Sequence, residues 1–560
     1  MTLIEYTLIN KNIKKLIKLF YFFLHFFSFL LAIYRKQCIC YVRNQKNYES
    51  RDVMPNKKTE NPRILIVTPE ITYLPDGMGN MYNKLRAKAG GLADVSASLV
   101  GALYRQGADV HVALPHYRRM FHVEIGNLIS EELRMYNNHL TDNRIHLAED
   151  RIFYYRKSVY SNYSSDSMLQ ALAFQREVIN NIIPRVNPDL IHCNDWMTGL
   201  IPAYARRLGI PCLFTVHNIH TQKLTMDVIE DRGIDVAGFW NNLFFERTPL
   251  NYEESRSNNH VDLLTSGIFG AHFINTVSPE FLNETVNGNH DFIPPQVRRE
   301  MQGKFHAGCA KGILNAPDEN DRPEVDNNLV IKYDYTNHAE GKRINKTAFQ
   351  QKTGLTVDPN APLLFWPSRL DPMQKGCQLL ADILYRVVEK YRHMNLQIAI
   401  IANGSYQGVF RDIVNFHNIH NNVSVCDFDD PLSHLGFGAS DFVLIPSRFE
   451  PCGLPQMTCQ YYGGLPIAMN TGGLHDTVEH LREDGSSGNG FRFDHHDSNG
   501  LFWAIDEAVR FYSKTQEFRS KVISRVMQDA HRRFNHDNTA QEYIKIYEAM
   551  LKRPLVRDIK

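Results

Sequence analysis

Residues 363–391 read LLFWPSRLDPMQKGCQLLADILYRVVEKY, and their pattern decides the fold class. Leu363-Leu-Phe-Trp366 reads as a short apolar strand. After Lys375-Gly376, the residues Leu380, Ile383, Leu384, Val387 and Tyr391 recur at helical spacing and share one face. Strand, loop and amphipathic helix make one βα unit. Working outward, strands are expected at Leu396–Ile401, Val423–Cys426, Phe442–Ile445 and Pro466–Met469 on one side. On the other they are expected at Ile64–Val67, Val110–Leu114, Asp189–His192, Leu213–Val216 and Phe273–Val277. The first of these is followed by a long loop, Gly90-Gly91, and a helix with Val95, Leu99 and Leu103 on one face that ends near Gly107. Such alternation builds parallel sheets. The expectation is an α/β chain of two doubly wound halves joined near Asn315 to Tyr335, with ligands bound beyond the carboxyl ends of the strands.

Composition fits that plan. At 560 residues and 43% hydrophobic the chain exceeds one ordinary core, so two domains and a cleft between them follow. Residues 1–53 carry nine Lys/Arg against three Asp/Glu, leaving 53 basic against 58 acidic residues in the remainder. That acidic balance argues against nucleic acid as a partner, because phosphate binding needs a basic face. The nine cysteines are scattered and form no C-x-x-C pair, which points to reduced thiols in a cytoplasmic compartment and no structural zinc site. Residues 1–61 form an extension in which four lysines between 11 and 18 precede the apolar run Leu19–Tyr34. Sixteen residues fall short of the roughly 20 that span a bilayer. Signal, membrane anchor, plastid targeting and a translation start at Met54 are all readings of this extension, and N-terminal sequencing of the native protein distinguishes them.

Four segments carry chemistry. Lys88-Ala-Gly90-Gly91-Leu-Ala-Asp94-Val opens a helix, where glycine admits close approach and free N–H groups attract electron-rich ligands. Ser368-Arg369 and Gln374-Lys375-Gly376 set two cations in one strand-to-helix loop, suited to a diphosphate. Pro446-Ser-Arg-Phe-Glu450-Pro-Cys452-Gly453-Leu454 follows another strand and places a carboxylate among Pro, aromatic and Gly, with Thr471-Gly472-Gly473 after the next strand. Such a carboxylate binds sugar hydroxyls or stabilises positive charge; capping the next helix is its plain alternative. Asn194-Asp195-Trp196 and His217-Asn218 follow strands of the first half.

Together, in order, with Val277-Ser-Pro, Gly312-Ile-Leu-Asn315 and the Thr471-Gly-Gly-Leu-His-Asp-Thr-Val run, these motifs resemble the bacterial and plant glycogen/starch synthases, family 5 of the glycosyltransferases, from Arg63 to about Phe534. The resemblance implies a GT-B fold: two Rossmann-like domains, 62–310 on the acceptor side and 311–535 on the nucleotide-sugar side, facing across a deep cleft. Residues 536–560 would form a helix packing back toward the N-terminal domain. It implies a retaining hexosyltransferase that moves glucose from ADP-glucose to the non-reducing 4-hydroxyl of an α-1,4-glucan without metal or other cofactor. By matching positions Arg369 and Lys375 hold the donor diphosphate with help from Thr471, Gly472 and Gly473, while Lys88, Gly90 and Gly91 reach the donor from the opposite domain. Glu450, His217, Asp94 and Asp195 are the catalytic group, His217 offering its backbone carbonyl to the anomeric centre. Phe428 stacks on the base, Cys452, Gly453 and Leu454 complete the donor loop, and Asn218 and Asn315 line the sugar and acceptor site. With one well-placed carboxylate, Glu450, a front-face transfer is expected rather than a covalent intermediate.

Departures from the family pattern are Phe428 for Tyr, Pro455 for Thr, Met197 for His, Ala316-Pro317 for a Gly-hydrophobic pair, and Met469-Asn470 for an Arg pair. They leave UDP-glucose open as donor. The other readings are a related transferase with another acceptor and an inactive glucan-binding homologue. Asp427-Phe-Asp429-Asp430 mimics a D-x-D metal motif but falls in the base-stacking loop that the resemblance implies, and His495-His496-Asp497 mimics metal ligands without a partner at suitable spacing. Tyr154-Tyr155-Arg156-Lys157 with Tyr160 and Tyr163 reads as a glucan platform or as a strand and its hairpin.

Overall fold

The computed structural model describes residues 61–75, 78, 86–88, 91–121, 144–160 and 164–556. The apolar run Leu19–Tyr34, Met54, Gly90 and Tyr163 lie outside the described residues, as do Cys38 and Cys40. Two parallel sheets organise the chain. The first contains β1 (Arg63–Val67), β2 (Asp109–Pro115), β3 (Ile145–Ala148), β4 (Leu190–Asn194) and β5 (Cys212–Val216). After a two-stranded antiparallel ribbon of β6 (Lys223–Leu224) and β7 (Val261–Asp262), β8 (Phe273–Thr276) and β9 (Ala310–Gly312) complete it. Its strand order is β3-β2-β1-β4-β5-β8-β9. The second sheet holds β10 (Leu363–Trp366), β11 (Gln397–Ile401), β12 (Val423–Cys426), β13 (Phe442–Ile445), β14 (Leu465–Met469) and β15 (Phe491–Phe493), in the order β12-β11-β10-β13-β14-β15.

Both sheets reverse direction of growth at one place, between β1 and β4 and between β10 and β13. These are the topological switch points at which open α/β sheets bind ligands. The central strands β4, β5, β10 and β13 are buried along their whole length, so they read as unbroken apolar runs rather than alternating ones. The sequence misses β3, β9 and β15, which lie at the ends of the sheets in strand order. Each is short and interrupted by a basic residue, His146 in β3, Lys311 in β9 and Arg492 in β15, and β9 is partly exposed, so none reads as an apolar run.

Six helices matter for the site: α1 (Gly91–Arg105), α2 (Pro279–Asn287), α3 (Cys377–Lys390), α4 (Pro455–Tyr461), α5 (Gly472–Thr477) and α6 (His536–Leu551). Val95, Leu99 and Leu103 of α1 are buried, as are Leu380, Ile383, Leu384 and Val387 of α3, while Tyr391 closes α3 as its C-cap. Helix α6 follows the second sheet in sequence but enters the core of the first, where Tyr543 and Tyr547 are fully buried. His192 Nδ1 and the Tyr547 hydroxyl lie 2.8 Å apart, and Asn275 Nδ2 donates to the Tyr543 hydroxyl at 2.9 Å. Each tyrosine removes roughly 150–250 Å² from water, an upper bound of about 4–6 kcal/mol apiece at ~25 cal/mol/Å². The chain therefore crosses between the halves twice.

Residues Glu60–Lys560 form one compact unit. Among the described residues no helix is long and apolar enough to cross a membrane. Tyr154 ends a short helix, Arg151–Tyr154, capped by Asp150, which corrects the strand-and-hairpin expectation. An Asp N-cap side chain accepting from Ile152 N at 2.8 Å sets that local choice.

Candidate active site

Glycine geometry brings the two loops of the second half together. Gly376 has φ +69°, and a Cβ there would stand 2.0 Å from Pro446 O, so only glycine lets the loop after β10 lie against the loop after β13. Its neighbour Lys375 thereby reaches Glu450: Nζ to Oε2 is 2.5 Å, and Ser447 Oγ donates to the same oxygen at 3.0 Å. Glu450 is 7% exposed, so this pair is largely withdrawn from water. Its carboxylate caps no helix: α4 begins at Leu454 without a side-chain cap, and Pro455 occupies the first turn, where a missing N–H costs nothing. That position explains Pro455.

Thr471, Gly472 and Gly473 lie against the same loop. Gly473 N–H donates to Glu450 O at 2.9 Å, and Gly472 N–H donates to Glu284 Oε2 of α2 at 3.0 Å. Cβ atoms on Gly472 and Gly473 would come within 2.1 Å of Glu450 O and 2.0 Å of Cys452 O. The glycine pair thus serves close backbone packing, with its own N–H groups engaged inside the protein. Gly453, at φ +71°, turns the chain beside Glu450. Cys452 is buried, which pushes its thiol up to about 12 and leaves it unreactive. Arg369 is exposed, and its guanidinium forms no ion pair among the described residues. Phe428 presents a ring 50% exposed, its backbone N–H anchored to Asn403 Oδ1 at 2.9 Å.

In the first half, Asp195 follows β4 at its switch point with φ 57° and ψ 178°, a region otherwise open only to glycine. Strain of order 1–3 kcal/mol is offset by bonds that over-determine it. Asp195 N–H donates to Thr215 O at 3.0 Å, and its carboxylate accepts from His217 N at 2.8 Å and Asn218 Nδ2 at 3.0 Å. Burial, partly opposed by the His217 and Asn218 N–H groups, raises Asp195 to about 7, and Glu70 nearby adds to the rise. Burial lowers His217 to about 3, so its imidazole is neutral at physiological pH. Asn194 Nδ2 donates to Val67 O, which leaves Asn194 Oδ1 to accept from His217 Nε2 at 2.9 Å. The ring is thus a fixed support, and Asp195 Oδ1 also accepts at 3.4 Å from Asn218 N, the N–H of the peptide that carries the His217 carbonyl.

Lys88 Nζ lies 2.9 Å from Asp94 Oδ2, and Thr72 Oγ1 donates to Asp94 Oδ1 at 2.6 Å. Burial would lower the Lys88 ammonium, but Asp94, aided by the more distant Asp321 and Asp430, raises it. Asp430 belongs to the second half, so Lys88 faces across. A Cβ on Gly91 would meet Leu454 Cδ1 at 3.4 Å, which places the start of α1 against the Glu450 loop. Asn315 is 5% exposed, and its side-chain oxygen has no hydrogen-bond partner among the described residues. Sequence reasoning missed Glu70 and Glu284, since isolated acids carry no spacing signal, and it placed Ser447 and Asn194 in motifs without giving them a role. The metal-like runs resolve into caps: Asp429 accepts from Leu432 N at 2.8 Å and Asp497 from Gly500 N at 2.7 Å, each starting a helix.

Residues 63–293 match the family model described as starch synthase catalytic domain, and residues 361–510 match that of group 1 glycosyl transferases. A glycogen synthase of Exiguobacterium sibiricum is 31% identical over 491 residues, covering 82% of this chain and 95% of that protein. The chain belongs to the glycogen/starch synthase family. A glycogen synthase of Bacillus subtilis is 29% identical, covering 83% of this chain and 96% of its own length. Among solved structures, the catalytic domain of starch synthase IV from Arabidopsis thaliana, bound to ADP and acarbose, superposes with TM-score 0.70 at 24% identity, covering 88% of this chain and all of that one. Sucrose-phosphate synthase from Thermosynechococcus elongatus gives 0.52 at 16% identity, covering 88% of this chain and 99% of that one. Both share the GT-B fold, two Rossmann-like halves facing across a cleft. As a member of this family the chain is a glycosyltransferase, and each half carries family motifs in the loops after the strands that flank its switch point and after the strand next to them.

Proposed function

We propose that this protein transfers glucose from ADP-glucose to the non-reducing 4-hydroxyl of an α-1,4-glucan, with retention of configuration. The observation that carries the reading is the Lys375–Glu450 pair beside the free Arg369, at the switch point of the second sheet, with Lys88 and Gly91 of the first half opposite. Arg369 and Lys375 hold the diphosphate, whose leaving charge they neutralise as the glycosidic bond breaks. Phe428 stacks on the base. Glu450, already committed to Lys375 and Ser447, binds the transferred glucose as a ligand rather than attacking it. Neutral His217 supplies its backbone carbonyl to the anomeric centre, held there by Asp195; Asp94, Asn218 and Asn315 line the sugar and acceptor site. The domains of this reading are 62–310 and 311–535, with 536–560 returning to the first. A cytoplasmic site is supported by buried thiols such as Cys193 and Cys212, whose Sγ atoms are 3.9 Å apart yet unbridged.

The test is incorporation of label from ADP-[14C]glucose or UDP-[14C]glucose into glycogen by the purified full chain. Labelling from the ADP-sugar supports the reading. Absence of labelling from both donors refutes it.

A further inference from the structure

The chain neighbours of Glu450 on both sides, and the loop behind its backbone, are contacted by one segment of the opposite half, residues 278–292. Ser278 Oγ donates to Pro451 O at 2.6 Å, immediately after Glu450. Phe292 packs on Phe449, immediately before it, with ring centroids 4.0 Å apart. Between these, Glu284 of α2 reaches the loop that holds the Glu450 backbone. Its Oε1 accepts from Thr471 Oγ1 at 3.0 Å and its Oε2 from Gly472 N at 3.0 Å, while His290 Nε2 lies 2.9 Å from Oε2. Gly473 N then donates to Glu450 O. The carboxylate is 9% exposed, as is the His290 side chain, which sits against the rings of Phe281, Phe292 and Phe449.

Two details argue that this is a built device rather than chance packing. Thr471 is the N-cap of α5, where its hydroxyl would ordinarily bond the helix's own N–H groups; here it makes no cap bond and is directed to Glu284 instead. Gly472 must be glycine, because any side chain would strike Glu450 O. A buried carboxylate needs several donors to stay charged away from water, and Glu284 has three within reach, two of them supplied by the donor loop of the other half.

We propose that Glu284, steadied by His290, is a positioning residue for Glu450, acting across the cleft through Thr471, Gly472 and Gly473. Glu284 touches neither donor nor acceptor in this scheme. It fixes the turn against which the Glu450 backbone rests, so the two halves must be docked at α2 for Glu450 to stand in register with Lys375. This rests on the synthase reading only for its kinetic consequence; the contact itself is read independently.

The experiment uses the purified full chain as wild type, Glu284→Ala and Glu284→Gln, with melting temperature and circular dichroism to confirm folding. Two readouts are taken: backbone hydrogen exchange of peptides covering 447–453 and 470–476, and steady-state glucosyl transfer. The expected result is faster exchange in both peptides of Glu284→Ala, a kcat at least tenfold lower with the acceptor KM within twofold, and partial recovery in Glu284→Gln, which keeps one acceptor oxygen. A merely structural role would lower the melting temperature of both variants and leave kcat per folded molecule unchanged; that result overturns the proposal. Exchange and kcat within twofold of wild type in Glu284→Ala overturn it as well. Should the wild type transfer no glucose, the synthase reading fails and exchange alone decides: faster exchange in 447–453 upholds the positioning contact, and unchanged exchange there refutes it. If Glu284→Ala does not fold, Glu284→Gln decides by the same two readouts.

Discussion

Replacing Gly472 with alanine should disable the enzyme while sparing its fold. An ideal Cβ at this position lies 2.1 Å from Glu450 O, and real Cβ contacts do not fall below 3.0 Å, so something must move by about 0.9 Å. The obstacle is main chain, not the flexible tip of a side chain, and it belongs to Glu450 itself. Gly472 also has φ +45°, where a non-glycine residue costs about 1–2 kcal/mol. Together with weakening of the Gly472–Glu284 bond, the expected destabilisation is about 2–3 kcal/mol, within what a chain of this size tolerates. Displacement of a catalytic group by about 1 Å costs on the order of 100-fold in rate. Gly472→Ala should therefore show kcat about 100-fold down, with wild-type circular dichroism and a melting temperature only a few degrees lower. Initial rates of label transfer from ADP-[14C]glucose to glycogen measure the first. Gly303→Ala is the control: a Cβ there meets nothing within 4 Å in helix Pro295–His306, so activity should be unchanged and stability equal or slightly higher. A Gly472→Ala enzyme with kcat within threefold of wild type would refute the idea that the glycine pair sets the position of Glu450.

Other outcomes follow from the same geometry. Glu450→Gln should lower kcat about 100-fold or more while ADP affinity, measured by calorimetry, stays within about threefold, because Lys375 remains free to hold phosphate; a parallel loss of ADP binding would contradict the sugar-ligand role. Phe428→Ala removes a half-exposed ring and should weaken ADP binding by roughly 1–3 kcal/mol without shifting the melting temperature; unchanged ADP affinity would remove Phe428 from the base site. Asp195 has its folded-state value raised from 3.8 to about 7, so the stability tied to its protonated form is present at low pH and lost as pH rises through about 7. Melting temperatures of wild type and Asp195→Asn should therefore diverge in slope between about pH 4 and 7, the wild type falling more steeply, and identical slopes would place the Asp195 value elsewhere.

Lys375 and Glu450 stand 75 positions apart, and each alone reads as a loop charge. Glycine made the first prediction possible, because Gly-Gly after a strand signals close approach. The expected role for Gly472 and Gly473 was to assist in holding the donor diphosphate, and which groups their N–H donors engage, Glu284 and Glu450 O, was not legible from the run itself. Glu284 lies five residues after the Val277-Ser-Pro279 motif on an ordinary amphipathic helix, where nothing in spacing separates it from a solvated acid. Asp195 was identifiable as a candidate by its place after a strand, yet its backbone conformation and raised value come from burial among residues of three different strands' ends. Strands β3, β9 and β15 escaped where β12, an equally short edge strand, did not, because His146, Lys311 and Arg492 interrupt their apolar runs.

By itself the sequence determined the two α/β halves, the strands at their centres and the loops that carry the motifs. It could do so because buried parallel strands and amphipathic helices are written in local hydrophobic pattern, and loop chemistry is written in glycine and charge. Only the tertiary structure decided which charges neutralise one another, which N–H groups are already engaged, and that one helix of the first half braces the central carboxylate of the second. Those are through-space relations between residues 75 and 188 positions apart, set by how two sheets and their loops dock, and no local pattern encodes them.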